Sequence, residues 1–167
     1  METLFSEGGW SAVRESAPLP DGRTKTGIRI YRADSVHVIA FTAPGRILVL
    51  REFRPYWGDY VWAIPSGTAD KGGNIVEAAQ RELQEESGYE AGTMTLLSTA
   101  NLTDSLTLTS NFFVAMDLKK NPLPQDADEM IEVHDLPIEE ALEKVLSSPK
   151  VHLTSAYALL RYMKENA

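Results

Sequence analysis

Apolar and polar residues alternate along much of this chain, and the alternation predicts strands at both ends of a single helical interruption. Thr26–Arg32 and Ser35–Thr42 are rich in Ile, Val and Tyr, as strands are. Ala43–Arg46, read APGR, is a turn that joins Ser35–Thr42 to Ile47–Phe53 as a hairpin. Trp10–Ala17 alternates more weakly and reads as a further strand before the turn cluster Pro18–Arg23. Tyr60–Ile64 is short and apolar and stops at Pro65, while Thr93–Ala100, Asn111–Leu118 and Met130–Leu136 complete the predicted strands. The period changes at Ile75–Ser87. Asn74 is a good N-cap, Glu77 completes a capping-box pattern, and Gly88 stands where a left-handed C-cap belongs. Two more helices are expected, one opened by Pro137 with Asp135 or Leu136 near its cap and running to Leu146, the other over Thr154–Asn166. Strands mixed with three helices predict an α/β sandwich.

At 167 residues, one domain with a full core is expected. The net charge of −8 argues against nucleic acid or an anionic membrane as the main partner, because both need a basic surface. No cysteine is present, which removes thiolate ligands, disulfides and Cys nucleophiles. The N-terminus lacks the basic start and apolar core of a signal peptide, and no apolar run approaches the ~20 residues that span a bilayer. A cytoplasmic protein is expected.

The chemistry concentrates in Gly67–Tyr89, GTADKGGNIVEAAQRELQEESGY. Glu82, Glu85 and Glu86 stand at i, i+3 and i+4, so they share one helical face. A Glu-rich helix is most often only a solvated face. Three like charges behind a Gly-rich turn also suit a hard divalent cation, which takes carboxylate oxygens.

This segment resembles the Nudix box, G-x5-E-x7-R-E-U-x-E-E-x-G-U, where U is aliphatic. Gly67, Arg81, Glu82, Leu83, Glu85, Glu86 and Gly88 are in register, Tyr89 replaces the last aliphatic residue, and Gly73 stands where the pattern has Glu. The flanks resemble the ADP-ribose pyrophosphatase and nucleoside-diphosphate-sugar branch: Glu52-Phe53-Arg54-Pro55 is similar to Q-[YF]-R-P, with Glu52 at the Gln position, and Ile64-Pro65-Ser66-Gly67 is similar to E-[FL]-P-A-G, with Ser66 for Ala. The resemblance implies a Nudix fold, an α/β/α sandwich with a mixed central sheet. It places an N-terminal antiparallel region over about residues 1–34 and a catalytic core over 35–167.

The implied activity is Mg²⁺-dependent hydrolysis of the diphosphate of ADP-ribose or a related nucleoside-diphosphate sugar, with Mn²⁺ a possible substitute. Metal ligands are expected at Glu82, Glu86, Glu85 and the Ser66 carbonyl. Catalytic roles fall to Glu85, Arg81 and a general base at Glu129, with Asp128 as the alternative. Substrate binding is expected at Arg54, Arg51, Trp10, Tyr31 and Gly67, with Arg54 as phosphate clamp. Strand alternation sends Arg51 to the face opposite Arg54. Trp10 or Tyr31 would stack on a base within a homodimer that exchanges N-terminal strands. Glu77, four residues before Arg81, is expected to replace the missing glutamate by pairing with that arginine. Two alternatives remain: a nucleotide-binding sensor without hydrolysis, and a hydrolase of nucleoside triphosphates or dinucleotides.

Overall fold

The computed structural model describes residues 1–166. Three strands form an N-terminal antiparallel sheet: β1 (Glu2–Glu7), β2 (Trp10–Pro18) and β3 (Thr24–Tyr31). β1 is absent from the sequence reading. Its pairing with β2 begins at Glu7↔Trp10, so Gly8 and Gly9 alone form the turn. Their φ values of 56° and 78° are those a two-residue hairpin needs and glycine supplies.

The main sheet contains β4 (Ser35–Ala43), β5 (Arg46–Arg54), β6 (Asp59–Ala63), β7 (Ser66–Thr68), β8 (Tyr89–Ala100), β9 (Ser110–Lys120) and β10 (Ile131–Pro137). Its principal order is β10-β5-β4-β9-β8. The β4–β9 pair is parallel and the other pairs are antiparallel, so the sheet is mixed as expected. Helix α1 (Ile75–Ser87) covers one face through Ala78, Ala79 and Leu83 against Val36, Val38 and Leu48. Helices α2 (Ile138–Leu146) and α3 (Leu153–Glu165) cover the other, where Ala141, Val145 and Leu159 meet Ile39, Val49 and Phe112. The architecture is the expected α/β/α sandwich.

The sheet splits between β4 and β5, and the split positions the site. β5 pairs with β4 only near Ile47 and Arg46, then pairs with β6 from Leu50 to Arg54. β4 gives its other half, Ser35–His37, to β7. The chain between β6 and β7 therefore lies in the gap. Ser155 Oγ, fully buried, accepts the Ile64 amide at 3.0 Å, and Pro65 O accepts the Val38 amide at 2.8 Å.

Two local expectations are corrected. Pro137 is the N-cap of α2 rather than its first residue, and it supplies no side-chain cap. Asp135 does not cap the helix, because its carboxylate pairs with Arg46 at 3.0 Å.

Candidate active site

Helix α1 begins as its sequence predicts. Asn74 accepts the amides of Val76 at 2.9 Å and Glu77 at 3.0 Å, and Glu77 accepts the Asn74 amide at 3.2 Å. The helix ends at Gly88, whose φ of 79° is left-handed. Between these caps the inward stripe is Ala78, Ala79, Glu82, Leu83 and Glu86. Two carboxylates thus occupy positions that pack on the sheet, so this is not a solvated acidic face.

Both are held by the chain in the sheet's gap. Glu86 Oε2 accepts the Ser66 amide at 2.6 Å. Glu82 lies against Gly67, where a Cβ would come 2.7 Å from Oε1 and closer still to Cδ and Oε2. A side chain there would have to displace the Glu82 carboxylate. Burial is the main force raising both acids above the ordinary carboxylate range, Glu86 furthest. Repulsion from Glu85 adds to it at Glu82, and repulsion from Glu52, Glu82 and Glu129 adds to it at Glu86.

Glu129 and Arg54 face a cavity of about 480 Å³ with Glu52, Tyr56, Trp57, Asp126 and Asp128. Burial, then repulsion from Glu52, Asp126 and Glu82, pushes the Glu129 carboxyl up to about 7. Arg54 Nη2 stands 2.7 Å from Glu52 Oε2. A larger cavity of about 630 Å³, bordered by Phe41, Pro44, Met116 and Tyr162, includes none of these acids.

The remaining expected site residues are distributed differently. Glu85 sits between Lys71, whose Nζ is 3.3 Å away, and Arg81, whose Nε is 4.0 Å away. Arg81 also approaches Glu82 at 3.5 Å. The expected Glu77–Arg81 pair is not formed, because Glu77 closes the capping box instead. Arg51 is turned away from the acids: it donates to Glu132 at 2.9 Å and lies 4.0 Å over the Tyr60 ring. Trp10 and Tyr31 border a separate, open cavity of about 330 Å³ with Arg32. The Arg32 guanidinium stacks 4.4 Å from the Trp10 ring and donates to Thr68 at 2.9 Å, next to Gly67. The Tyr31 hydroxyl donates to Glu15 at 2.8 Å.

Sequence reasoning missed Glu52 as a site residue. The signal was available, since Glu52 and Arg54 are two apart on one strand and share a face.

The donor set suits a hard divalent cation. Glu82, Glu86 and Glu52 are buried oxygens with raised affinity for protons, and Glu52 Oε2 has no aligned hydrogen-bond donor. The acids stand apart: among the described residues, no three His, Asp or Glu side chains enclose an ion as placed.

The NUDIX domain family model matches residues 31–157. An ADP-ribose pyrophosphatase of Bacillus subtilis (strain 168) is 29% identical over 164 residues, covering 95% of this chain and 87% of that protein. A methanol dehydrogenase activator of Bacillus methanolicus is 31% identical, covering 86% of this chain and 80% of that protein. An ADP-sugar pyrophosphatase of Mus musculus is 30% identical, covering 86% of this chain and 75% of that protein. In fold, a solved structure described as "Crystal structure of ADP compounds hydrolase" matches with a TM-score of 0.81 at 22% identity, over 98% of this chain and 90% of that chain.

Proposed function

Because this chain belongs to the Nudix family of hydrolases acting on phosphoric anhydrides, we propose that it cleaves the diphosphate of ADP-ribose or a related nucleoside-diphosphate sugar with Mg²⁺. The products are a nucleoside monophosphate and a sugar phosphate. The observation that carries this reading is the seating of Glu82 and Glu86 on the inward stripe of α1, against Gly67 and the Ser66 amide. Two relatives named for ADP-ribose and ADP-sugars support the substrate class.

Glu82, Glu86 and the Ser66 carbonyl would hold the cation, which supplies charge neutralisation at the phosphoryl oxygens and a more acidic bound water. The protein's own groups do the rest. Arg54 binds a phosphate oxygen pair through its planar guanidinium. Glu129 takes the proton of the attacking water, its carboxyl standing in the cavity beside Arg54. Arg81, itself largely buried, approaches both Glu82 at 3.5 Å and Glu85 at 4.0 Å and helps to position them. The exposed rings of Tyr56 and Trp57 offer the substrate an apolar wall at the cavity mouth.

The reading includes a homodimer formed through the N-terminal sheet, where Leu4, Phe5, Trp10 and Ile28 are exposed. Equilibrium sedimentation tests that part alone.

Product analysis tests the activity. ADP-ribose, other nucleoside-diphosphate sugars, dinucleoside polyphosphates and nucleoside triphosphates are incubated with Mg²⁺ or with EDTA. Release of AMP and ribose 5-phosphate with Mg²⁺, lost in EDTA and in Glu86→Gln, is the expected result. Preference for a triphosphate would overturn the substrate assignment.

A further inference from the structure

We propose that Glu52 is an additional carboxylate ligand of the divalent-cation site, and that Arg54 occupies the cation's place beside it until the cation binds. The inference rests on Glu82 and Glu86 being cation ligands, as read above.

Strand alternation places Glu52 with Leu48 and Leu50, all three buried, on a common face of β5, and Leu48 packs in the core beneath α1. Glu52 is only 5% exposed. A carboxylate removed from water needs an aligned donor or a cation. Arg54 comes within 2.7 Å, yet Glu52 Oε2 and Arg54 Nε are both left without an aligned hydrogen bond. A structural arginine–carboxylate pair normally forms two parallel bonds. This pair is close but ill-fitted, as expected of a substitute counter-ion rather than a built partner.

Position supports the same conclusion. The Phe53 amide donates to Met130 O at 3.0 Å, which fixes the end of β5 beside Glu129. Glu52 also borders the same cavity as Glu129, Asp126 and Asp128. The sequence pattern that this strand resembles has glutamine here, which has the same shape and no charge. The glutamate therefore adds an anionic oxygen where packing does not require one. Binding of a cation at Glu52 would release Arg54, and the freed guanidinium would then meet the diphosphate.

Mn²⁺ alone, with no nucleotide, is titrated into the full-length protein and free Mn²⁺ is read by electron paramagnetic resonance. Wild type, Glu52→Gln, Arg54→Gln and Glu86→Gln are compared, with circular dichroism confirming that each is folded. Glu52→Gln should weaken Mn²⁺ binding at least tenfold. Arg54→Gln should tighten it several-fold, because the competing charge is gone. A Glu52→Gln affinity within twofold of wild type overturns the proposal, as do shifts of the two variants in the same direction. If Glu86→Gln alone weakens binding, only this inference fails and the hydrolase reading stands. No Mn²⁺ binding by wild type would overturn both.

Discussion

Gly67→Ala is the smallest change that should disable this site. The new Cβ would meet the Glu82 carboxyl and little else, since that carboxyl supplies its three nearest atoms. Moving Oε1 from 2.7 Å to an ordinary contact of 3.4 Å is a retreat of about 0.7 Å, and the closer Cδ and Oε2 must move about 1 Å or more. The backbone at Gly67 is not in the left-handed region, so this steric cost stands alone. Glu82 cannot yield inward, because its neighbours on the α1 stripe, Ala79, Leu83 and Glu86, are all buried. The displaced atoms are the end of a flexible side chain, so the change falls more on the placement of the Glu82 carboxylate than on stability. A misplacement of about 1 Å in a reacting site costs on the order of 100-fold in rate. Hydrolysis of the preferred nucleoside-diphosphate sugar should therefore fall about 100-fold, with weaker Mn²⁺ binding and a modestly lower melting temperature. A Gly67→Ala protein that turns over within threefold of wild type, with unchanged Mn²⁺ affinity, would refute the idea that Gly67 exists to seat Glu82.

Restoring the family glutamate by Gly73→Glu should not improve the enzyme: the backbone there has φ +84°, and the new Cβ would strike Glu77 Oε2. The left-handed backbone alone costs about 1–2 kcal/mol, so the urea midpoint should fall; a rise would overturn this account of Gly73. The metal-free protein should show a stability term from Glu129 that is fully present below the free carboxyl's 4.5 and lost as pH rises through about 7. Measured in EDTA, Glu129→Gln should remove that loss, and an unaltered profile would count against the assignment. His37 and His152, lowered by burial to about 3 and about 4, act in the opposite sense and destabilise the fold as pH falls below 6.5. Comparison of the variant with wild type cancels their contribution.

What could be read from the sequence was what is encoded locally. Helix α1 was legible to its ends because Asn74, Glu77 and Gly88 each act within one turn of themselves. The glycine and paired carboxylates of its motif likewise carry their spacing in the chain. β7 was not legible: three residues, Ser66–Thr68, become a strand only because β4 offers them an unpaired edge. β1 was overlooked although Gly8-Gly9 signalled a hairpin, because ETLFSE lacks a clean apolar face and is exposed throughout. The Glu77–Arg81 pairing was a reasonable helical expectation that lost to a competing local interaction, the capping box. Glu52 escaped notice for a different reason. Its parity with Arg54 was readable, but the cavity it shares with Glu129 forms only where the distant 126–129 segment folds beside the end of β5.

The peptide unit between Pro65 and Ser66 is gripped at both ends, its carbonyl by the Val38 amide and its N–H by the Glu86 carboxylate. That plane cannot rotate without breaking a bond to the sheet or to the helix. The cavity that holds Glu129 is bounded differently, by a loop where Tyr56 is 103% exposed and by Asp126 and Asp128, which are exposed too. For protein engineering the two are separable parts. Segment 64–67 is tied to both the sheet and α1, whereas segments 55–58 and 122–128 are exposed and join neither, apart from the turns at Arg54 and Asp126 that hold Arg54 and Glu129 in place and the Leu123 amide on Gln84 O. A library confined to the two exposed segments would sample new substrates on an intact hydrolytic frame.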